Sequence, residues 1–249
     1  AEYGCRTAIP VSEADKVRVW DVDALSFQAT GQQCPRFGFD ATVSPGDTLT
    51  LADMRWQALG APGHDPHSLI FYCADEGILI SADALWENGF GVIFPELDGG
   101  SGFLEARATL DLIASLDVRV VIPGHGRPFQ DAAGALQRAW SRLDYLSSDP
   151  VRNAQNAVKV LLKFLLLERQ RIALAAIPAL LRGMPIFEEA NRRFLRQEAA
   201  ALAAAGRAAS LRRRDRRAAH QGVRHPGSQR SGRHPAAAAA PHPAGHVLV

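Results

Sequence analysis

Three side chains in this sequence stand where chemistry is most readily done, at the ends of apolar runs beside Gly- and Pro-rich turns. His64 lies in Ala61-Pro62-Gly63-His64-Asp65-Pro66-His67-Ser68, just before the apolar run that starts at Leu69. His125 lies in Val121-Ile122-Pro123-Gly124-His125-Gly126, just after the run that starts at Val118. Between them, Ile80-Ser81-Ala82-Asp83 ends a third run with a carboxylate. Strand ends in layered sheets bring loops to one rim, where ligands bind. Imidazole and carboxylate together suit zinc or another borderline divalent ion, and a carboxylate between two ions can bridge them. A lone histidine after Pro-Gly is more often a turn residue than a ligand. The three elements in this order say more than any one of them.

The elements that must position these residues can be read from periodicity. Residues 1 to about 135 alternate short β-branched runs with turn signals, which predicts strands over residues 55–59, 68–73, 77–80 and 118–122. Ala74-Asp75-Glu76-Gly77 reads as a hairpin turn between two of them. Leu104, Ala108, Leu112 and Leu116 have helical spacing ahead of the Val118 strand. Helix, strand and Gly-rich turn in that order suit a layered α/β domain. From residue 136 to 205 the pattern is helical throughout. Leu136, Trp140, Leu143 and Leu146 share one face of a first helix; a second is expected from Val151 to Ile177, where Pro178 interrupts; a third covers residues 186–205.

Composition narrows the classes. A hydrophobic fraction of 47% and a charged fraction of 22% in 249 residues are ordinary for a globular protein. A formal net charge of +2 gives no global reason to expect nucleic acid or an anionic membrane surface as partner, and no run approaches the ~20 apolar residues that span a bilayer. Cys5, Cys34 and Cys73 lack metal-type spacing and are odd in number, which points to free thiols in a reducing cytosol and a cytoplasmic location. Residues 206–249 are rich in Arg, Ala, Pro and His with Asp215 the one acid, a composition that predicts a disordered tail. Five of the eight histidines lie there at irregular spacing, and the Arg212–Arg217 cluster is the one feature that would suit nucleic acid.

Gly-Asp-Thr-Leu at 46–49, Pro-Gly-His-x-Pro at 62–66, Ser-Ala-Asp-x-Leu at 81–85 and Ile-Pro-Gly-His-Gly at 122–126, in that order, resemble the metallo-β-lactamase superfamily. The stretch Asp83-Ala84-Leu85-Trp86-Glu87-Asn88-Gly89-Phe90-Gly91 is similar to the segment after the bridging Asp in glyoxalase-II-like members. The resemblance covers roughly residues 1–145. It implies a partial αββα sandwich over residues 1–135, then the helical extension over 136–205 and the tail. It also implies that His64 is a ligand of a first metal, that Asp83 bridges two metals, zinc ions in the complete protein, and that His125 is a ligand of the second. His67, Asp65 and Asp75 are read as turn residues, and Asp98-Gly99-Gly100 as a loop.

The departure from the pattern matters as much as the match. The superfamily's His-x-His-x-Asp-His motif belongs upstream of residue 64, yet no histidine precedes His64. The expectation is a chain truncated just past that motif, with an exposed sheet edge and face. A family member hydrolyses substrates such as thioesters, lactones, β-lactams or phosphodiesters. The glyoxalase-like stretch favours a small acyl substrate, a thioester above all. With half of the ligands missing, this chain alone is expected to hold metal weakly and to be inactive. The alternatives are a nuclease of the same fold, acting on RNA or DNA, and a non-catalytic remnant.

Overall fold

The computed structural model describes residues 6–196. Along the chain run β1 (Ala8–Pro10), α1 (Ala14–Val19), α2 (Phe27–Thr30), β2 (Ala41–Val43), β3 (Thr48–Leu51), β4 (Met54–Gly60), β5 (Leu69–Cys73) and β6 (Ile78–Ala82). There follow α3 (Pro95–Asp98), α4 (Phe103–Ala114), β7 (Val120–Pro123), α5 (Ala132–Ser147), α6 (Pro150–Arg169), α7 (Ile177–Arg182) and α8 (Pro185–Ala190). β3 to β7 form one five-stranded sheet in sequence order, antiparallel up to β6 and parallel between β6 and β7. A parallel pair needs a crossover, and α4 supplies it. β1 and β2 make a separate two-stranded parallel sheet.

The expected mixed α/β domain followed by helices is what the chain forms. The four expected strands correspond to β4, β5, β6 and β7, with β7 starting two residues late. Gly77, at φ 60°, turns β5 into β6 as the hairpin reading required. Strands β2 and β3 were not among the expected ones. The β3–β4 turn is Ala52-Asp53, with φ of 51° and 61°. Two successive left-handed residues make the tight hairpin turn that Asn-Gly normally signals, so this pair carries no such signal in its sequence.

The two faces of the large sheet are covered unequally. Ile70, Tyr72, Leu79 and Val121 point into the main core, where Leu110 and Ile113 of α4 and Leu136, Ala139 and Leu143 of α5 meet them. On the other face Ala58 and Leu69 form only a small cluster with Val43 of β2. Ile122 on β7 and Leu51 on the edge strand β3 remain exposed.

The helices differ in detail from the periodicity reading. α5 buries Leu136, Leu143 and Leu146 as expected, with Asp131 capping its first turn by accepting from the Gly134 N–H. α6 stops at Arg169, well short of Ile177, because the exposed polar residues 168–171 break its apolar stripe and Gln170 turns left-handed at φ 59°. Pro178 starts α7 instead of ending a helix; in a first helical turn its missing N–H costs nothing. The third helix holds only to Ala190 before a π-helical turn, Asn191–Leu195, which Arg196 ends at φ 48°. The rest of its expected span and the 206–249 tail lie outside the described residues. A second core joins α6, α7 and α8 through Leu161, Leu165, Ile177, Leu181 and Phe187, and it includes Val92 from the loop after β6 and Leu97 of α3. Among the described residues no helix is long and apolar enough to cross a membrane.

Candidate metal centre

Strand pairing alone brings the three sequence-identified residues to one rim. Gly60 at the end of β4 pairs with Leu69 at the start of β5, so the turn carrying His64 lies at that edge. Phe71 pairs with Ile80, which sets the end of β6 at the same edge, and Ala82 pairs with Pro123 at the end of β7. His64, Asp83 and His125 each follow or precede one of these ends within a few residues.

Local backbone then aims them. β6 breaks register between Ile80 and Ala82, and Ala82 adopts φ 45°, a left-handed conformation unusual for a residue with a side chain. Such an irregularity re-aims the next side chain, here Asp83. The Gly124 N–H donates to the Ala82 carbonyl at 2.7 Å, which ties the His125 turn to the same point. A β-carbon at residue 124 would stand 2.8 Å from Asp83 Oδ1 and 3.0 Å from the Ala82 carbonyl. One at residue 91 would stand 2.7 Å from His64 Nδ1 and 3.0 Å from the Asp83 β-carbon. Glycines at 91 and 124 are therefore required for close approach.

The two carboxylate oxygens of Asp83 face different histidines. Oδ2 lies 3.4 Å from His64 Nε2, and Oδ1 lies 3.7 Å from His125 Nε2. His64 Nδ1 stands 2.5 Å from the Val92 carbonyl, which can only accept, so Nδ1 carries the proton. In the neutral ring the Nε2 lone pair then faces the carboxylate, so that both are donors a cation between them would use. Phe94 packs against the His64 ring at 5.7 Å between centroids. On the other side Trp86 sets the edge geometry: its ring meets His125 at 81° and 5.0 Å, and its Nε1–H donates to Asp83 Oδ1 at 3.1 Å. His64 and Asp83 are about one-quarter exposed, whereas His125 is 46% exposed.

These spacings test whether the residues present suit a metal. An ion held tetrahedrally at about 2.0–2.1 Å from its donors separates neighbouring donors by about 3.3–3.4 Å. The His64–Asp83 separation matches that, and the His125–Asp83 separation is slightly long. Donor chemistry, tautomer and distance fit. Donor number does not: among the described residues no three His, Cys, Asp or Glu side chains converge on one point. There are two histidine–carboxylate pairs that share Asp83.

His67 takes no part. It is exposed, and its backbone N–H is held by Asp65 Oδ1 at 2.7 Å, so Asp65 is a turn-capping residue. Asp75 pairs with Arg55 across the surface, and Asp98 ends α3 with Oδ1 accepting from the Gly100 N–H. Trp86, Val92 and Phe94 were not singled out from the sequence. Trp86 and Gly91 fall inside the family-like stretch, which was the available signal; nothing marked a carbonyl such as that of Val92.

Residues 8–125 match the family model described as the metallo-beta-lactamase superfamily. The chain is 40% identical over 53 residues to a hydroxyacylglutathione hydrolase of Idiomarina loihiensis, a match covering 21% of this chain and 20% of that protein. It is 29% identical over 126 residues to the probable metallo-hydrolase YqgX of Bacillus subtilis, covering 47% of this chain and 57% of that one. Among solved structures, a beta-lactamase domain protein from Burkholderia ambifaria shows a TM-score of 0.46 at 18% identity, covering 59% of this chain and 47% of the other. The chain thus spans between one-fifth and somewhat over half the length of the curated relatives it matches. The segment that matches the metallo-β-lactamase superfamily, residues 8–125, carries all three rim residues.

Proposed function

We propose that this chain carries the Asp83-centred part of a binuclear metal site in a metallo-hydrolase that cleaves a small acyl substrate, with a thioester as the first choice. The observation that supports it is the division of Asp83, one oxygen towards His64 and the other towards His125. His64 would hold one ion and His125 the other, with the Asp83 carboxylate shared between them. The site takes a divalent ion, and its imidazole and carboxylate donors favour zinc. When bound, such ions supply Lewis acidity and generate a nucleophile at neutral pH.

The chain's own residues hold and orient. Val92 fixes His64 with Nε2 free for an ion, and Trp86 N–H fixes the Asp83 carboxyl plane. Leu85, Phe90 and Ile93 keep water from beneath the site. The acyl preference rests on the similarity of residues 83–91 to glyoxalase-II-like members and on the short match to a hydroxyacylglutathione hydrolase. A cytoplasmic location agrees with the buried free thiol of Cys73.

Each ion receives two donors here, and a catalytic zinc is ordinarily held by about three. By itself the chain therefore binds zinc weakly and turns over little. Zinc titration followed by the ring signals of His64 and His125, alongside elemental analysis of the purified chain, tests this. The expected result is saturable but weak binding at both rings and almost no retained metal. Tightly retained zinc with thioester turnover would overturn the weak-binding part. Rings that ignore zinc at every concentration would overturn the site itself.

A further inference from the structure

The helical region is joined to the metal centre through one loop. Residues 90–94 run between the two cores. The Val92 side chain is buried in the helical core, and that of Ile93 in the sheet core. The carbonyl of Val92 accepts from His64 Nδ1. The next carbonyl, that of Ile93, accepts at 3.0 Å from Asn153 Nδ2 on α6, sixty residues away.

Asn153 is 1% exposed, and its Oδ1 has no hydrogen-bond partner among the described residues. An amide left half-satisfied in a core costs stability that a leucine there would avoid. Its neighbours along the buried stripe of α6 are Ala154, Ala157, Leu161 and Leu165, all apolar. The single bond it makes holds the backbone that presents Val92 to His64. Partners that fix the tautomer of a ligating histidine raise its affinity for metal.

We infer that Asn153 is a positioning residue for His64: by anchoring Ile93 to α6, it holds the Val92 carbonyl on Nδ1 and so keeps the His64 Nε2 lone pair aimed at Asp83. The consequence for metal rests on the function proposed above; the consequence for the tautomer does not. α6 is then part of the metal site and not merely a cover for it.

The test uses the full chain with ¹⁵N-labelled histidine. Ring nitrogen shifts report which nitrogen of neutral His64 carries the proton, and a zinc titration on the same samples reports affinity. In Asn153→Leu, His64 is expected to shift towards the Nε2–H tautomer that free imidazole side chains prefer, and zinc half-saturation is expected to rise about 10–100-fold. Leu161→Ala, which opens a cavity in the same helical core without touching the Ile93 carbonyl, should lower the melting temperature and leave the tautomer alone. An unchanged tautomer in a folded Asn153→Leu overturns the inference, and so does an equal tautomer shift in Leu161→Ala. Should Asn153→Leu fail to fold, Asn153→Ala is read in the same way. A His64→Ala variant that binds zinc as well as the parent would sink the metal assignment, while the tautomer arm would still decide the role of Asn153.

Discussion

The two halves of the Asp83 site are built differently. On the His64 side the ring is largely enclosed, its Nδ1 is tied to a backbone carbonyl, and that carbonyl belongs to a loop wedged between two cores. On the His125 side the ring is nearly half exposed, rests edge-on against Trp86, and sits in a turn held to Ala82 by one backbone bond. The separations from Asp83 follow the same order, 3.4 Å against 3.7 Å. Burial strengthens each electrostatic contact, and a packed surround restricts where a ring can go. The His64 half is thus the more preorganised, and the difference teaches that chain context, not residue type, grades two chemically identical side chains.

The most damaging change to this comparison is one that erases both halves. Asp83→Ala should abolish saturable zinc binding at His64 and His125 alike, read from the ring signals; binding that survives at either ring would break the shared-carboxylate picture. Next is Gly91→Ala, whose new methyl must push the His64 ring or the Asp83 β-carbon aside. Overpacking of that kind costs about 1–3 kcal/mol in chemical denaturation, and zinc binding should weaken first at His64. Gly124→Ala is the mirror experiment, with the clash falling on Asp83 and the Ala82 backbone, so the His125 half should suffer more.

Smaller effects sharpen the contrast. His64→Ala removes a part-buried hydrogen bond and should lower the melting temperature by about 2–4 °C, the equivalent of roughly 1 kcal/mol in a chain of this size. His125→Ala, at an exposed turn, should lower it by less than half as much. Equal losses would show that the two halves are equally braced. The mildest variant is Trp86→Phe, which keeps the ring against His125 but removes the N–H donated to Asp83. A neutral donor to a carboxylate is worth about 1.5–3 kcal/mol at most and less where water can replace it, so a change of under tenfold in zinc affinity is expected, larger at His125, which faces the same Oδ1, than at His64.

Much of the frame was legible because it depends on local pattern. The apolar runs of β4 to β7, the Gly77 turn and the buried stripe of α5 follow from period and turn chemistry over a few residues. Where the reading missed, the cause was equally local. Ala52-Asp53 makes a hairpin without the residues that advertise one, so β3 went unseen. Pro178 was taken as a break, though a proline suits a first helical turn as well as it ends a last one. At the site, His64, Asp83 and His125 were legible because each ends or begins a strand beside a glycine turn, and strand ends share a rim.

The sequence by itself determined the order of strand, turn and ligand-type residue, the glycines at 91 and 124, and the faces of the long helices. All of these are properties of neighbours along the chain. Only the tertiary structure decided which oxygen of Asp83 meets which ring, which nitrogen of His64 carries the proton, and that α6 reaches the site at all. Those outcomes hang on contacts between residues 28 and 60 positions apart, the His64–Val92 and Asn153–Ile93 bonds. A backbone carbonyl has the same chemistry at every position in a sequence. What makes that of Val92 matter is the packing of two cores around it.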